Sequence, residues 1–301
     1  MANDFEVIKL NQNLKFIKIQ DSKLIIMQNK ELIKKLEKKA KEMRVEIIKM
    51  TTKAAAGHPT SSMSAIDIVV ALYYNAMKFD AKKPNWPERD RFILSKGHAC
   101  PAQYAVLGDT GYFDKKEFLK LRQISSMLQG HPDRMKIPGI EVSSGSLGQG
   151  LSVGNGMAWA GKLDKKDYRV YVLLGDGEMQ EGQVWESIMT TSQWKLNNVT
   201  AFVDCNGLQN DWWVKEEKDL GSLAEKFRAF GWNTIDIDGH NMEQILDAIE
   251  AAKKNKGKPT AIIAKTVKGK GVGFIENDPD RHGVALTEEE MKRALKELGA
   301  E

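Results

Sequence analysis

A chain of 301 residues with 42% hydrophobic content can enclose one large core or two small ones, which excludes a disordered chain. The net charge of +4 concentrates in lysine runs such as KKLEKKAKE and KKNKGK, where acids or glycine intervene; these read as solvated helix faces and exclude a nucleic-acid footprint. The longest apolar runs are too short or interrupted to span a bilayer, and no signal-peptide pattern opens the chain. Cys100 and Cys205 have no CxxC spacing, so a soluble protein of a reducing cytoplasm is expected, with no membrane and no nucleic acid among its partners.

Residues 1–28 alternate apolar and polar without turn signals, which predicts an added edge strand or an extension lacking regular order. The remainder, 29–301, reads as one domain without repeats or linkers. Leu32, Leu36, Ala40, Met43, Ile47 and Met50 recur at helical spacing between lysines and glutamates, predicting an amphipathic helix that runs toward Ala56. It stops at Gly57-His58-Pro59, because proline disfavours helical geometry in the residue before it.

Short β-rich runs then alternate with helical segments: RFIL (91–94), YRVYVLL (168–174), VTAFVD (199–204), NTIDID (233–238) and TAIIAKTV (260–267). Strands spaced by helices predict an α/β fold, doubly wound, with a mostly parallel central sheet and helices on both faces. Ligands of such sheets bind at the carboxyl ends of strands. The clusters SKGHA, GDGE, CNGLQN and KGKGVG each follow a predicted strand, which places all four at that edge.

Two of these clusters fit a diphosphate with its cation. GDGEMQEG (175–182) and DCNGLQN (204–210) each follow a strand, so two strand ends converge there. A hard divalent cation wants carboxylate, amide and backbone carbonyl oxygens together with phosphate oxygens and water. Asp176 offers the carboxylate, Asn206 a side-chain carbonyl and Leu208 a main-chain carbonyl, while Gly177 admits close approach of a phosphate and the helix after GDG would turn its N-terminus to the anion. Either piece alone also reads as an ordinary turn.

Of the five histidines, four sit in loop-like clusters: GHPTSS, SKGHA, QGHPD and RHG hold His58, His98, His131 and His282. Histidine near neutral pH can hold a sugar hydroxyl or carry its proton. His240, in DGH, reads as structural. SSGSLGQGLSVGNGMAWA (143–160) packs five glycines into a turn and a small-residue helix, and it is not a dinucleotide fingerprint, because no GxGxxG follows a strand. KTVKGKGVG runs from a strand into a basic glycine loop that a phosphate would favour. Glu181 reads on its own as an exposed helix glutamate.

In order and spacing, AAAGHPTSS, DRFILSKGHA, the GHP before SGSLGQG, GDG with its later asparagine, KTVKGKG and the final HG resemble the transketolase family from about residue 44 to about 290. The resemblance is to the N-terminal, thiamine diphosphate-binding part. It implies thiamine diphosphate with Mg2+, for which Ca2+ or Mn2+ can substitute, the metal held by Asp176, Asn206 and Leu208. It implies cofactor contacts from Ser61, His98, Gly177, Asn206 and Lys268, with Gly145, Ser146 and Leu147 against the aminopyrimidine. His58, His131 and His282 match residues of the substrate channel, and Glu181 matches one at the subunit interface. One departure is Arg281, where the family commonly has an aromatic residue before HG.

The family continues through a pyrimidine-binding domain and a C-terminal domain, which carry the glutamate that activates the aminopyrimidine and the arginines that grip the sugar phosphate. The resemblance therefore implies half of a split transketolase, passing a two-carbon ketol unit between sugar phosphates together with a separate C-terminal subunit, as an α2β2 assembly. Both a pentose-phosphate role and a specialised branched-sugar pathway are compatible with it. The alternatives are another split thiamine diphosphate enzyme, such as the alpha-type subunit of a 2-oxo acid dehydrogenase or a deoxyxylulose-phosphate synthase fragment, and a non-catalytic relative of the fold.

Overall fold

The computed structural model describes residues 3–300, with side chains from residue 29 onward. Helix α1 spans Asn3–Ala54. The edge strand considered for 1–28 is not formed, since the backbone from Asn3 continues this helix. No glycine or proline precedes Gly57, so nothing in the chain breaks a helix seeded by the buried stripe of Leu36, Ala40, Met43, Ile47 and Met50. It ends where Ala55 and Gly57 take positive φ, 49° and 125°. Helix α2 (Pro59–Ala71) then starts with proline in its first turn and is buried along its whole length.

The order continues β1 (Arg91–Leu94), α3 (Cys100–Asp109), α4 (Gly150–Leu163), β2 (Val170–Gly175), α5 (Gly182–Gln193), β3 (Val199–Cys205), α6 (Val214–Lys218), α7 (Leu223–Ala229), β4 (Asn233–Asp238), α8 (Met242–Lys254), β5 (Thr260–Lys265) and α9 (Glu288–Glu297). All five expected strands form. They pair in parallel in the order β1-β2-β3-β5-β4.

Both faces are covered, as the near-continuous apolar strands require. Along β2 the side chains alternate between two cores: Tyr171 and Leu173 join one, while Val170, Val172 and Leu174 join the other. The first core holds α1, α2, α3, α8 and α9 through residues such as Ile47, Ile68, Tyr104, Ile245 and Leu295. The second holds α4, α5 and α7 through Leu151, Ile188 and Phe227. Because β5 returns between β3 and β4, a right-handed crossover puts α8 on the face opposite α7. The same order makes the exits of β1, β2, β3 and β5 neighbours and leaves β4 at the outer edge.

Candidate active site

The exits of β1, β2 and β3 border a cavity of about 580 Å³, which the start of α2 and His282 help to close. It is lined by His58, Ser61, His98, His131, Gly145, Leu147, Asp176, Gly177, Glu181, Asn206, Leu208 and His282, so twelve of the fourteen residues marked in the sequence meet at one place. The other two stand off the wall. Ser146 is exposed, with its hydroxyl 3.2 Å from Gln149 Nε2. Lys268 is buried behind the wall, its Nζ 2.6 Å from Nδ1 of His282.

Asp176 is buried at the exit of β2 and ties it to the turn after β3. Its Oδ1 accepts from the backbone N–H of Gly177 at 2.9 Å, and its Oδ2 from that of Gly207 at 2.6 Å. Asn206 Oδ1 accepts from the Leu208 N–H at 3.1 Å, and an antiparallel bridge from Leu208 to Trp213 closes the turn, which needs glycine at 207 for its φ of 78°. Burial, with the nearby Asp204 charge, pushes the Asp176 carboxyl up to about 6. A 3-10 turn (Gly177–Gln180) follows GDG, and α5 begins only at Gly182, so the helix expected directly after the motif starts later.

Three imidazoles crowd together beside this turn. Ring centroids of His58 and His98 are 5.0 Å apart, and those of His58 and His98 each lie 5.2 Å from that of His282. Burial, then neighbouring positive charge, holds His58 down to about 4 and His282 down to about 3; burial also lowers His98 and His131. All four are therefore neutral at pH 7. Nδ1 of His58 is buried without a protein partner among the described residues. His131 packs on the Gly145 backbone so closely that a Cβ there would meet its ring at 2.8 Å. Arg281, the departure from the family pattern, turns outward to Glu290 at 2.7 Å, while His282 keeps its place in the cavity.

Two buried side chains of the cavity lining, Lys96 and Glu178, carry no role in the sequence reading. Lys96 donates to Asp204 and, at 3.2 Å, to the Ser61 carbonyl; Asp204 also accepts from Ser64 at 2.6 Å and from Thr266. A carboxylate inside an apolar strand must find a cation, and SKGHA contains one. Glu178 accepts from Ser95 and from the N–H groups of Gly148 (2.9 Å) and Gly175 (3.0 Å), joining the glycine-rich segment to β2. Its signal was the first acid after GDG.

The cavity's donor set can be matched to a diphosphate with its cation. Among the described residues no cluster of three or more His, Cys, Asp or Glu could form an all-protein cage. One carboxylate with two neutral oxygens suits a cation that takes its other ligands from phosphates and water. Gly177 is close-packed against Gln209, where a Cβ would lie 2.8 Å from the Gln209 Cβ, so the backbone itself faces the cavity. The residues fit. A parallel α/β sheet with its strand exits arranged this way defines a protein that binds a diphosphate-bearing cofactor.

Comparison with known proteins agrees. The model of the transketolase thiamine diphosphate-binding domain matches residues 36–301, and the chain belongs to that family as a thiamine diphosphate-binding transketolase N-terminal part. It is 42% identical to the 6-deoxy-6-sulfo-D-fructose transketolase subunit SqwG of Clostridium sp. strain MSTE9, over 88% of this chain and 97% of that protein. It is 38% identical to an apulose-4-phosphate transketolase subunit of Phocaeicola vulgatus, over 88% and 94%. Against human transketolase the identity is also 42%, but the chain spans only 42% of that protein's length. The solved transketolase of Campylobacter jejuni superposes with a TM-score of 0.83 at 34% identity, over 88% of this chain and 42% of that one.

Proposed function

We propose that the chain is the cofactor-holding subunit of a split transketolase dependent on thiamine diphosphate and Mg2+, active with a separate C-terminal subunit in a cytoplasmic α2β2 assembly. The observation that carries this reading is the convergence of His58, His98 and His282, centroids 5.0 to 5.2 Å apart, beside the Asp176–Asn206 turn. Asp176, Asn206 and the Leu208 carbonyl hold the cation; Gly177, Ser61 and His98 hold the diphosphate; Gly145 and Leu147 face the aminopyrimidine. When bound, thiamine diphosphate supplies the carbanion chemistry that cleaves and remakes a carbon–carbon bond beside a ketose carbonyl.

This chain's residues orient the sugar and handle its protons. His58 and His131 are neutral, so each can accept a hydrogen bond from a sugar hydroxyl or take the proton it sheds as the carbon–carbon bond breaks, while His282, whose Nδ1 accepts from Lys268, has only its Nε2–H to donate to a sugar oxygen. Glu181 is exposed at the cavity mouth, which supports a contact with the partner subunit. The two relatives of matching length are named for a sulfonated and a phosphorylated sugar, which supports a ketose with an anionic end as the donor.

Calorimetry of thiamine diphosphate with and without Mg2+, followed by a ketol-transfer assay on the chain alone and with its partner, tests the proposal. Metal-dependent binding and transfer only with the partner are expected. Full transfer by the isolated chain overturns the split, and no metal-dependent binding even with the partner overturns the enzyme.

A further inference from the structure

His240 stands apart from the other four histidines. It follows β4, the outermost strand, and lines no part of the active-site cavity. Its ring is nonetheless fixed at both nitrogens: Nδ1 lies 2.7 Å from Asp67 Oδ2, and Nε2 lies 2.8 Å from the backbone nitrogen of Val267. A backbone N–H can only donate, so Nε2 is the accepting nitrogen. The proton then resides on Nδ1 and is donated to Asp67. Asp67, on α2, is gripped in turn by both terminal nitrogens of Arg44 on α1, at 3.2 and 2.5 Å.

The residue that His240 holds is the neighbour of Lys268. Beyond β5 the chain is pinned at Thr266, whose hydroxyl donates to Asp204, at Val267 through His240, and at Gly269, whose N–H donates to the Thr60 carbonyl at 3.0 Å. The DGH turn comes so close that a Cβ on Gly239 would lie 2.5 Å from Thr266 Cγ2. Between these pins Lys268 reaches inward to His282, 2.6 Å away. Two of the three pins tie back to residues under or beside the cavity. The Lys268 carbonyl also accepts from the Asn277 N–H at 2.9 Å, and His240 anchors the segment through a buried carboxylate and guanidinium on two core helices.

We infer that His240 is a positioning residue: with Asp67 and Arg44 behind it, it fixes Val267 and so sets the reach of Lys268 to the active-site His282. This rests on the transketolase reading of the cavity. A merely structural histidine would hold α2 to the β4–α8 turn and leave His282 untouched, which separates the two roles experimentally. The nitrogen pattern adds a signature, because His240 carries its proton on Nδ1 whereas His282, accepting from Lys268 at Nδ1, carries it on Nε2.

The test uses the complete assembly with His240→Ala, His240→Gln, Lys268→Met and the double variant, reading 15N imidazole shifts of His282 before cofactor is added, then KM and kcat. His240→Ala is expected to move the His282 shifts and to lower kcat/KM by about tenfold, as loss of a supporting partner commonly does. His240→Gln can bridge Asp67 and Val267 with one amide and is expected within about threefold of wild type. Adding His240→Ala to Lys268→Met is expected to cost nothing further, since both act through one contact. Unmoved His282 shifts, or losses that multiply in the double variant, overturn the inference. If His240→Ala does not fold, His240→Asn, too short for both bonds, runs the same cycle. Failure of the wild-type assembly to bind thiamine diphosphate would sink the functional reading, while the His282 shifts would still decide the role of His240.

Discussion

Lys268 Nζ lies 2.6 Å from Nδ1 of His282, and the lysine's charge weakens the basicity of the imidazole. Burial and then the Lys96 charge lower Lys268 to about 8; burial and then Lys268 lower His282 to about 3. Between these values the lysine is the donor and the imidazole the acceptor. Above about 8 that donor loses its charge, so kcat/KM of the assembly is expected to fall along an alkaline limb near 8 that Lys268→Met lacks. The stability signature has a definite sign. Unfolded lysine titrates near 10.4, so between about 8 and 10.4 the unfolded chain holds more protons and this group's contribution rises with pH. Lys268→Met is therefore expected to be more stable than wild type below pH 8, with the gap closing above it, as measured by thermal melts across pH. A gap independent of pH would refute the assignment.

The Lys96–Asp204 pair has no access to solvent, with relative exposures of 2% and 0%. Removing one partner strands a buried charge, so Lys96→Met or Asp204→Asn is expected to cost about 3–5 kcal/mol by urea denaturation. The double variant is expected to recover part of that loss. Single losses below about 1 kcal/mol would mean the interior is better solvated than the hydrogen bonds to Ser64 and Thr266 indicate.

Asp176 supplies the only carboxylate of the proposed cation site. Asp176→Asn keeps its shape and one of the two bonds it accepts from Gly177 and Gly207, since an amide nitrogen cannot accept the other, and it loses the charge a divalent cation requires. Calorimetric affinity for thiamine diphosphate in Mg2+ is expected to drop by at least about 100-fold, with far-ultraviolet circular dichroism unchanged. Chelation of the cation from the wild-type assembly is expected to have the same effect. Undiminished binding by the variant would move the metal site elsewhere.

The strands and the site were legible in the sequence for one shared reason. Each strand is a short apolar run, and the clusters of His98, Asp176 and Asn206 directly follow one, so local pattern carried the five strands and the meeting of these three, whereas His58, which follows α1, was assigned to the site through the family resemblance. What escaped needed pairing over long separations. Nothing local says that β5 inserts between β3 and β4, and that order puts His240 at the outer edge while His282 reaches the cavity. Lys96 and Asp204 lie 108 residues apart and look like ordinary loop and turn charges until the strands are laid side by side. Over residues 3–28 the alternation pointed to a strand, whereas an unbroken run of helix-compatible residues forms a helix there.

Gly145 tests how the glycine-rich segment serves the site. Its φ of 150° is one that side chains rarely adopt, and a Cβ would lie 2.8 Å from the His131 ring. Gly145→Ala therefore meets two costs, backbone strain of about 1–3 kcal/mol and displacement of His131 from the cavity wall. The two separate in a His131→Ala background, where the clash is gone and the strain remains. The stability loss from Gly145→Ala is expected to shrink there without vanishing. In the wild-type background kcat/KM is expected to fall toward that of His131→Ala, since both variants take the same imidazole from the substrate. If Gly145→Ala leaves kcat/KM intact, His131 does not depend on this backbone for its place, and its role in holding substrate hydroxyls fails with it.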